Sequence, residues 1–166
     1  AFLAGNESKY PCPVIKEWVV DSGSGNDLIS REVAEMFAEW IRDAENPITL
    51  STANKRIRVT QELPFECALL GRKSVALILP HTPAVLSMGR RCEEEGYHWE
   101  WPAFSKTPFI IDPEGVVYWL YVRNGVPYLG PDCEKTYPQD CAPAEVRRRI
   151  RGKSPQSEAD IRDARP

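Results

Sequence analysis

The sequence predicts a mainly β fold, with one longer helix after an early turn and a β-rich extension towards the C-terminus. Three observations lead there. Residues 48–79 carry short alternating apolar patterns (Ile48, Leu50, Ile57, Val59, Leu63, Phe65), which suit half-buried strands. Residues 97–129 repeat that texture, with turn signals at Asp112-Pro113-Glu114-Gly115 and Asn124-Gly125. Only one stretch, Ile29, Val33, Met36, Phe37, Trp40 and Ile41, has apolar residues three and four apart, the spacing of an amphipathic helix.

Taken in order, residues 1–13 read as an irregular lead-in, and residues 14–20 are apolar enough for a buried strand. A turn follows at residues 21–25. The helix is expected from about Ser30 to Arg42, with Asn26, Asp27 or Ser30 as its N-cap and Asn46-Pro47 as its stop. Gly71-Arg72-Lys73 reads as a turn, and residues 75–79 form a continuous apolar run of the kind buried on both faces of a sheet. Pro80-His81-Thr82-Pro83 breaks that run. Residues 85–89 are a short apolar segment, and residues 90–95 suit one or two helical turns closed by Gly96. Strands are expected at residues 97–101, 109–111, 116–122 and 126–129, with Pro127 restricting the last to a sheet edge. The many aromatics here read as core. From residue 131 apolar content falls and Pro, Arg, Asp and Glu take over, so residues 131–166 read as a disordered or linker tail after a domain at 14–130.

Bulk properties bound the function. At 166 residues and 42% hydrophobic content the chain is long enough for one domain with a real core. A net charge of −3 gives no case for nucleic acid or an anionic membrane surface, although Arg147-Arg148-Arg149 and Arg151 keep nucleic-acid contact open as a minor reading. No apolar run approaches the roughly 20 residues that span a bilayer. The chain opens at Ala1 rather than Met and lacks a basic flank there, which reads as a piece of a longer intracellular protein. Five cysteines with no Cys-x-x-Cys pair, and two isolated histidines, argue for free thiols in a reducing compartment and for no metal or other cofactor.

The chemistry lies in two motifs. Trp18-Val19-Val20-Asp21-Ser22-Gly23 delivers one carboxylate on a tight turn from the end of a buried strand. Such a carboxylate can be half of an aspartic protease dyad, and Asp-Ser-Gly is equally an ordinary turn sequence. The second motif, Ala84-Val85-Leu86-Ser87-Met88-Gly89-Arg90, follows a buried strand and Thr82-Pro83. It offers an apolar strand whose glycine lets backbone pass close to a neighbour.

In that order the motifs resemble the retropepsin-like aspartic proteases of retroviruses and, more closely, of copia-type retrotransposon polyproteins. Leu50-Ser51-Thr52-Ala53-Asn54, Gly96-Tyr97 and Val126-Pro127-Tyr128-Leu129 add to the resemblance, which spans about residues 14–130. It implies a retropepsin-like barrel and a homodimer, because each chain carries a single catalytic aspartate. It further implies an aspartic endopeptidase that processes its own polyprotein, or the same fold serving silently as a dimerisation or scaffold module.

Carried over residue by residue, Asp21 is the catalytic carboxylate, Ser22 braces the two turns across the dimer axis, and Gly23 gives the substrate backbone room. Gly25, Asn26, Leu86 and Met88 belong to the substrate-binding set. So do Thr52, Ala53 and Asn54, at the tip of a flap over about residues 49–59. Gly89 and Arg90 support the site, with Arg90 a possible partner for Asp27. The chain departs from the family in the glycine-poor flap tip ending at Lys55, in Gly25-Asn26-Asp27, in the long helix, and in the forty or so residues after Arg90.

Overall fold

The computed structural model describes residues 11–51 and 56–138. The expected flap tip (Thr52, Ala53, Asn54) and the arginine knot lie outside the described residues. The protein is mainly β, 50% strand against 12% helix, so strands decide the architecture. A curled half-barrel of nine strands is joined by a separate four-stranded sheet.

Two short strands, β1 (Val14–Ile15) and β2 (Trp18–Asp21), occupy the run expected as one. After the turn come β3 (Asp27–Ser30) and α1 (Arg31–Glu35), with the Ser30 hydroxyl accepting from the Val33 amide as the N-cap. The hairpin strands β4 (Arg42–Ser51) and β5 (Arg56–Cys67) lead to β6 (Arg72–Leu79) and β7 (Val85–Ser87). Helix α2 (Met88–Glu94) ends with Gly96 at φ 75°, the left-handed position that glycine takes cheaply. The second sheet contains β8 (His98–Glu100), β9 (Phe109–Ile111), β10 (Val117–Trp119) and β13 (Glu134–Thr136). Strands β11 (Tyr121–Arg123) and β12 (Val126–Leu129) return to the half-barrel through Asn124 (φ 50°) and Gly125 (φ 75°), two successive left-handed residues as a type I′ hairpin requires.

The half-barrel runs β1-β5-β6-β3-β7-β2-β12-β11, with β4 hydrogen-bonded to β5. Strand β2 is central: it pairs parallel with β7 (Asp21 beside Ser87) and antiparallel with β12 (Trp18 beside Leu129). One core unites both sheets, because Trp18, Ile29, Phe65 and Leu86 pack in the same cluster as Ile110, Tyr118 and Leu120. Trp18 is 1% exposed, its ring 4.4 Å from that of Phe65.

Four expectations are corrected. The long helix is absent: Ile29 is a fully buried strand residue, and α1 stops after one turn. Phe37, at φ −129° and ψ 44°, leaves helical geometry, and a short 3-10 turn (Ala38–Trp40) follows. Val33, Phe37, Trp40 and Ile41 still reach the core, so two short turns satisfy a pattern that reads as one helix, while Met36 is left 73% exposed. Asn46-Pro47 ends no helix; it sits in the register shift of β4 between Asp43 and Ile48, where a missing amide costs no ladder bond. Pro127 lies in an interior strand, and it is tolerated there because pairing to β2 begins only at Tyr128. The folded region also runs past residue 130, since β13 pairs along all of β10.

Candidate active site

Asp21 ends β2 and is held in register beside Ser87 of β7, so the two motifs are hydrogen-bonded neighbours. Its carboxylate is partly exposed, and Oδ1 accepts from the Gly23 amide at 2.7 Å. Oδ2 has no partner among the described residues. A Cβ on Gly23 would stand 3.2 Å from Oδ1, tight enough that a side chain there would press on the carboxylate. Ser22 and Gly23 are exposed at the crown of the turn.

Beneath the turn lies a buried polar cluster. Asp27 is fully buried and receives a bidentate pair from Arg91, 2.7 Å to Oδ1 and 3.0 Å to Oδ2. The Ser87 amide adds a third donor at 2.8 Å and the Ser74 hydroxyl a fourth at 2.8 Å. Arg91 also donates to the Ser87 carbonyl at 3.0 Å. Burial pulls the Arg91 guanidinium down, but its bonds to Asp27 outweigh that and hold it above its ordinary value. The Ser87 hydroxyl donates to the Ser24 carbonyl at 2.5 Å and accepts the Arg90 amide at 3.3 Å, capping α2. Within the turn, the Ser24 hydroxyl donates to the Asn26 carbonyl at 2.6 Å.

Several site assignments change. Arg90 is not the partner of Asp27: its side chain leaves for Glu94 at 3.1 Å, one helical turn on, and Arg91 takes the pair. The reason is helical phase, because α2 begins at Met88 and points residue 91 back under the turn. Gly89 is not the point of strand contact. Ser87 stands beside Asp21, and a Cβ on Gly89 would meet the Ser22 carbonyl at an ordinary 3.6 Å. Leu86 (0% exposed) and Met88 (1%) belong to the core and form no substrate wall. Gly25 is exposed with nothing within 4 Å of a Cβ built on it, and Asn26 lies beside it in the same turn.

Strands β4 and β5 form the hairpin whose tip the described residues omit. Thr49, Leu50 and Ser51 pair with Arg58, Ile57 and Arg56. Its apolar residues Ile48, Leu50, Ile57 and Val59 cluster with Leu28, the residue that follows Asp27, and with Leu77 and Leu79. Towards the tip its exposed residues are polar (Thr49, Ser51, Arg56, Arg58).

Sequence reasoning missed Ser74, Ser87 and Arg91. The signal for Arg91 was incomplete: Asp27, between a turn and an apolar strand, needs a buried counter-charge, but α2 buries only Met88 and Arg91, and nothing local says which of the adjacent arginines turns inward. Nothing local marks Ser74 or Ser87, whose roles depend on strand register. Among the described residues, no group of three or more His, Cys, Asp or Glu is placed to hold a metal ion, and Cys12, Cys67, Cys92 and Cys133 are unpaired. No helix among them is long and apolar enough to cross a membrane. The chain matches no protein-family model, no curated protein and no solved structure.

Proposed function

We propose that this chain is the protease segment of a retroelement polyprotein, a retropepsin-like aspartic endopeptidase active as a homodimer. The observation that carries the reading is Asp21: a partly exposed carboxylate with one oxygen unpartnered among the described residues, at the end of a central strand, over a buried polar cluster. Two such chains related by a twofold axis bring two Asp21 carboxylates together. Like charges that close do not both ionise, so the pair shares one proton and titrates as a unit. The ionised carboxylate takes a proton from a water whose oxygen attacks the peptide carbonyl carbon. The protonated one gives its proton to the carbonyl oxygen. Collapse of the tetrahedral intermediate breaks the C–N bond, with a proton passing to the leaving amine.

In this reading Ser22 bonds across the dimer axis, Gly23, Gly25 and Asn26 face the substrate main chain, and the β4–β5 hairpin closes from above. The clustering of Leu28 with Ile48, Leu50 and Ile57 supports apolar side chains near the scissile bond. The enzyme works within the cell or the element's particles, on its own polyprotein.

The test is self-cleavage of a longer precursor, wild type beside Asp21→Asn, from acid to neutral pH. Processing by wild type alone, at a rate that climbs with protein concentration, supports the dimeric protease. If both precursors stay whole while sedimentation finds a folded dimer, the silent scaffold module replaces it.

A further inference from the structure

We infer that the buried Ser87 hydroxyl is a positioning residue that fixes the Asp21 turn through the Ser24 carbonyl. The catalytic consequence rests on the protease reading; the structural one does not. Ser87 is fully buried and its backbone is already committed, the amide to Asp27 at 2.8 Å and the carbonyl to Arg91 at 3.0 Å. That leaves the hydroxyl, which serves two masters. As acceptor it caps α2 through the Arg90 amide at 3.3 Å, and as donor it reaches the Ser24 carbonyl at 2.5 Å. A long cap bond and a short turn bond mark the second as the stronger interaction.

The geometry gives that bond its purpose. The turn is anchored at its start by the β2–β7 ladder at Asp21 and at its end by the Asp27–Arg91 pair. Between them, Ser22, Gly23 and Gly25 are exposed, and a glycine-rich segment has wide conformational freedom. The Ser87 hydroxyl is the one side chain on another element that bonds this middle stretch among the described residues. Its loss leaves Asp21 attached but lets the crown of the turn wander, and with it the Gly23 amide that orients the carboxylate.

The experiment uses the full chain with Ser87→Ala and Ser87→Thr, the latter keeping both donor and cap acceptor. Ser87→Cys, close in volume with a weak donor, keeps the test open if Ser87→Ala does not fold. Backbone amide NMR relaxation is recorded at residues 22–25 and, separately, at Arg90 and Arg91. Peptide cleavage kinetics are run beside it. Ser87→Ala is expected to mobilise residues 22–25 and lower kcat about tenfold with KM within about twofold, because misplacement of the reacting group acts on the chemical step. Ser87→Thr is expected to restore both readouts, with Ser87→Cys between the two. Unchanged relaxation at residues 22–25, even with α2 frayed at Arg90 and Arg91, overturns the inference; so does a threonine variant no better than alanine. A wild type that folds but never cleaves sinks the protease reading, and the relaxation at residues 22–25 then decides the brace by itself.

Discussion

Asp21 and Asp112 begin in nearly the same local setting. Asp21 is the last residue of its strand and Asp112 the first after its own, each opens a turn, and a glycine stands two or three residues on. Their carboxylates are used in opposite ways. Asp112 is 8% exposed; its Oδ1 accepts the Glu114 and Val116 amides at 3.0 and 2.9 Å, and its Oδ2 accepts the Tyr118 hydroxyl at 3.1 Å. All of that capacity goes into holding the β9–β10 turn. Asp21 is more exposed and, among the described residues, accepts a single amide. Asp27 stands at the far extreme, with four donors spread over its two oxygens. Residue type and turn grammar are shared by a structural and a chemically available carboxylate. What separates them is how many lone pairs the fold has already taken.

The largest effect that sharpens this contrast is Asp21→Asn. On the proposed reading, cleavage should fall by about 10³-fold or more, since both carboxylates of the dimer's acid–base pair are gone, while the melting temperature stays within about 2 °C of wild type. A large drop in thermal stability with residual activity would break the contrast at its main point. Next is Asp27→Ala, which strands the Arg91 guanidinium without its carboxylate. Urea titration should show a loss of about 3–5 kcal/mol, because a buried charge loses its only counter-charge in the cluster. Smaller again is Asp112→Ala, which orphans two amides and a hydroxyl on a partly wetted turn. It should cost about 1–3 kcal/mol in the same titration and leave kcat unchanged in molecules that remain folded.

The smallest effect concerns Glu17, a carboxylate between the two extremes. It accepts from the Tyr121 hydroxyl and from Arg123 at 2.5 Å, and those partners, Tyr121 foremost, hold it below the usual carboxylate range. A carboxylate depressed in the folded state adds stability above its unfolded pKa and loses it as pH falls through the folded value. Tyr121→Phe should therefore destabilise by less than about 1 kcal/mol at pH 7, given a side chain 39% exposed to screening water, and by less still at pH 3. Equal losses at both pH values would show that the contribution of the Tyr121 hydroxyl does not depend on the charge of Glu17.

Much of this was legible in the sequence where signals are local. The Asn124-Gly125 hairpin, the Asp112 turn, Gly96 after a short helix and the buried run of β6 all follow from chemistry within a few residues. The signals failed where a pattern has two solutions. Apolar residues three and four apart suit one long helix, yet a strand residue, one turn of α-helix and a 3-10 turn place most of the same side chains inside. Arg91 in place of Arg90 turns on the start of α2, a shift of phase that composition cannot fix. The family motif to which Leu86 and Met88 belong assigns them to the substrate-binding set, and the fold buries both in the core. Asp21 stands at the end of a strand, as its motif implies, while Ser74 and Ser87, which bond Asp27 beneath the turn, lie 47 and 60 residues beyond Asp27.

The central place of β2 also has a consequence for timing. Its two flanking strands are β7 and β12, encoded some 65 and 110 residues later in the chain. Contacts so distant in sequence close late and together, after a long loop has been drawn in. A nascent chain that has emerged only through α2 can set Asp21 beside Ser87 but leaves the other side of β2 bare. The turn gains its full frame only when Leu129 has left the ribosome, by which point all of both sheets but the last strand has been made.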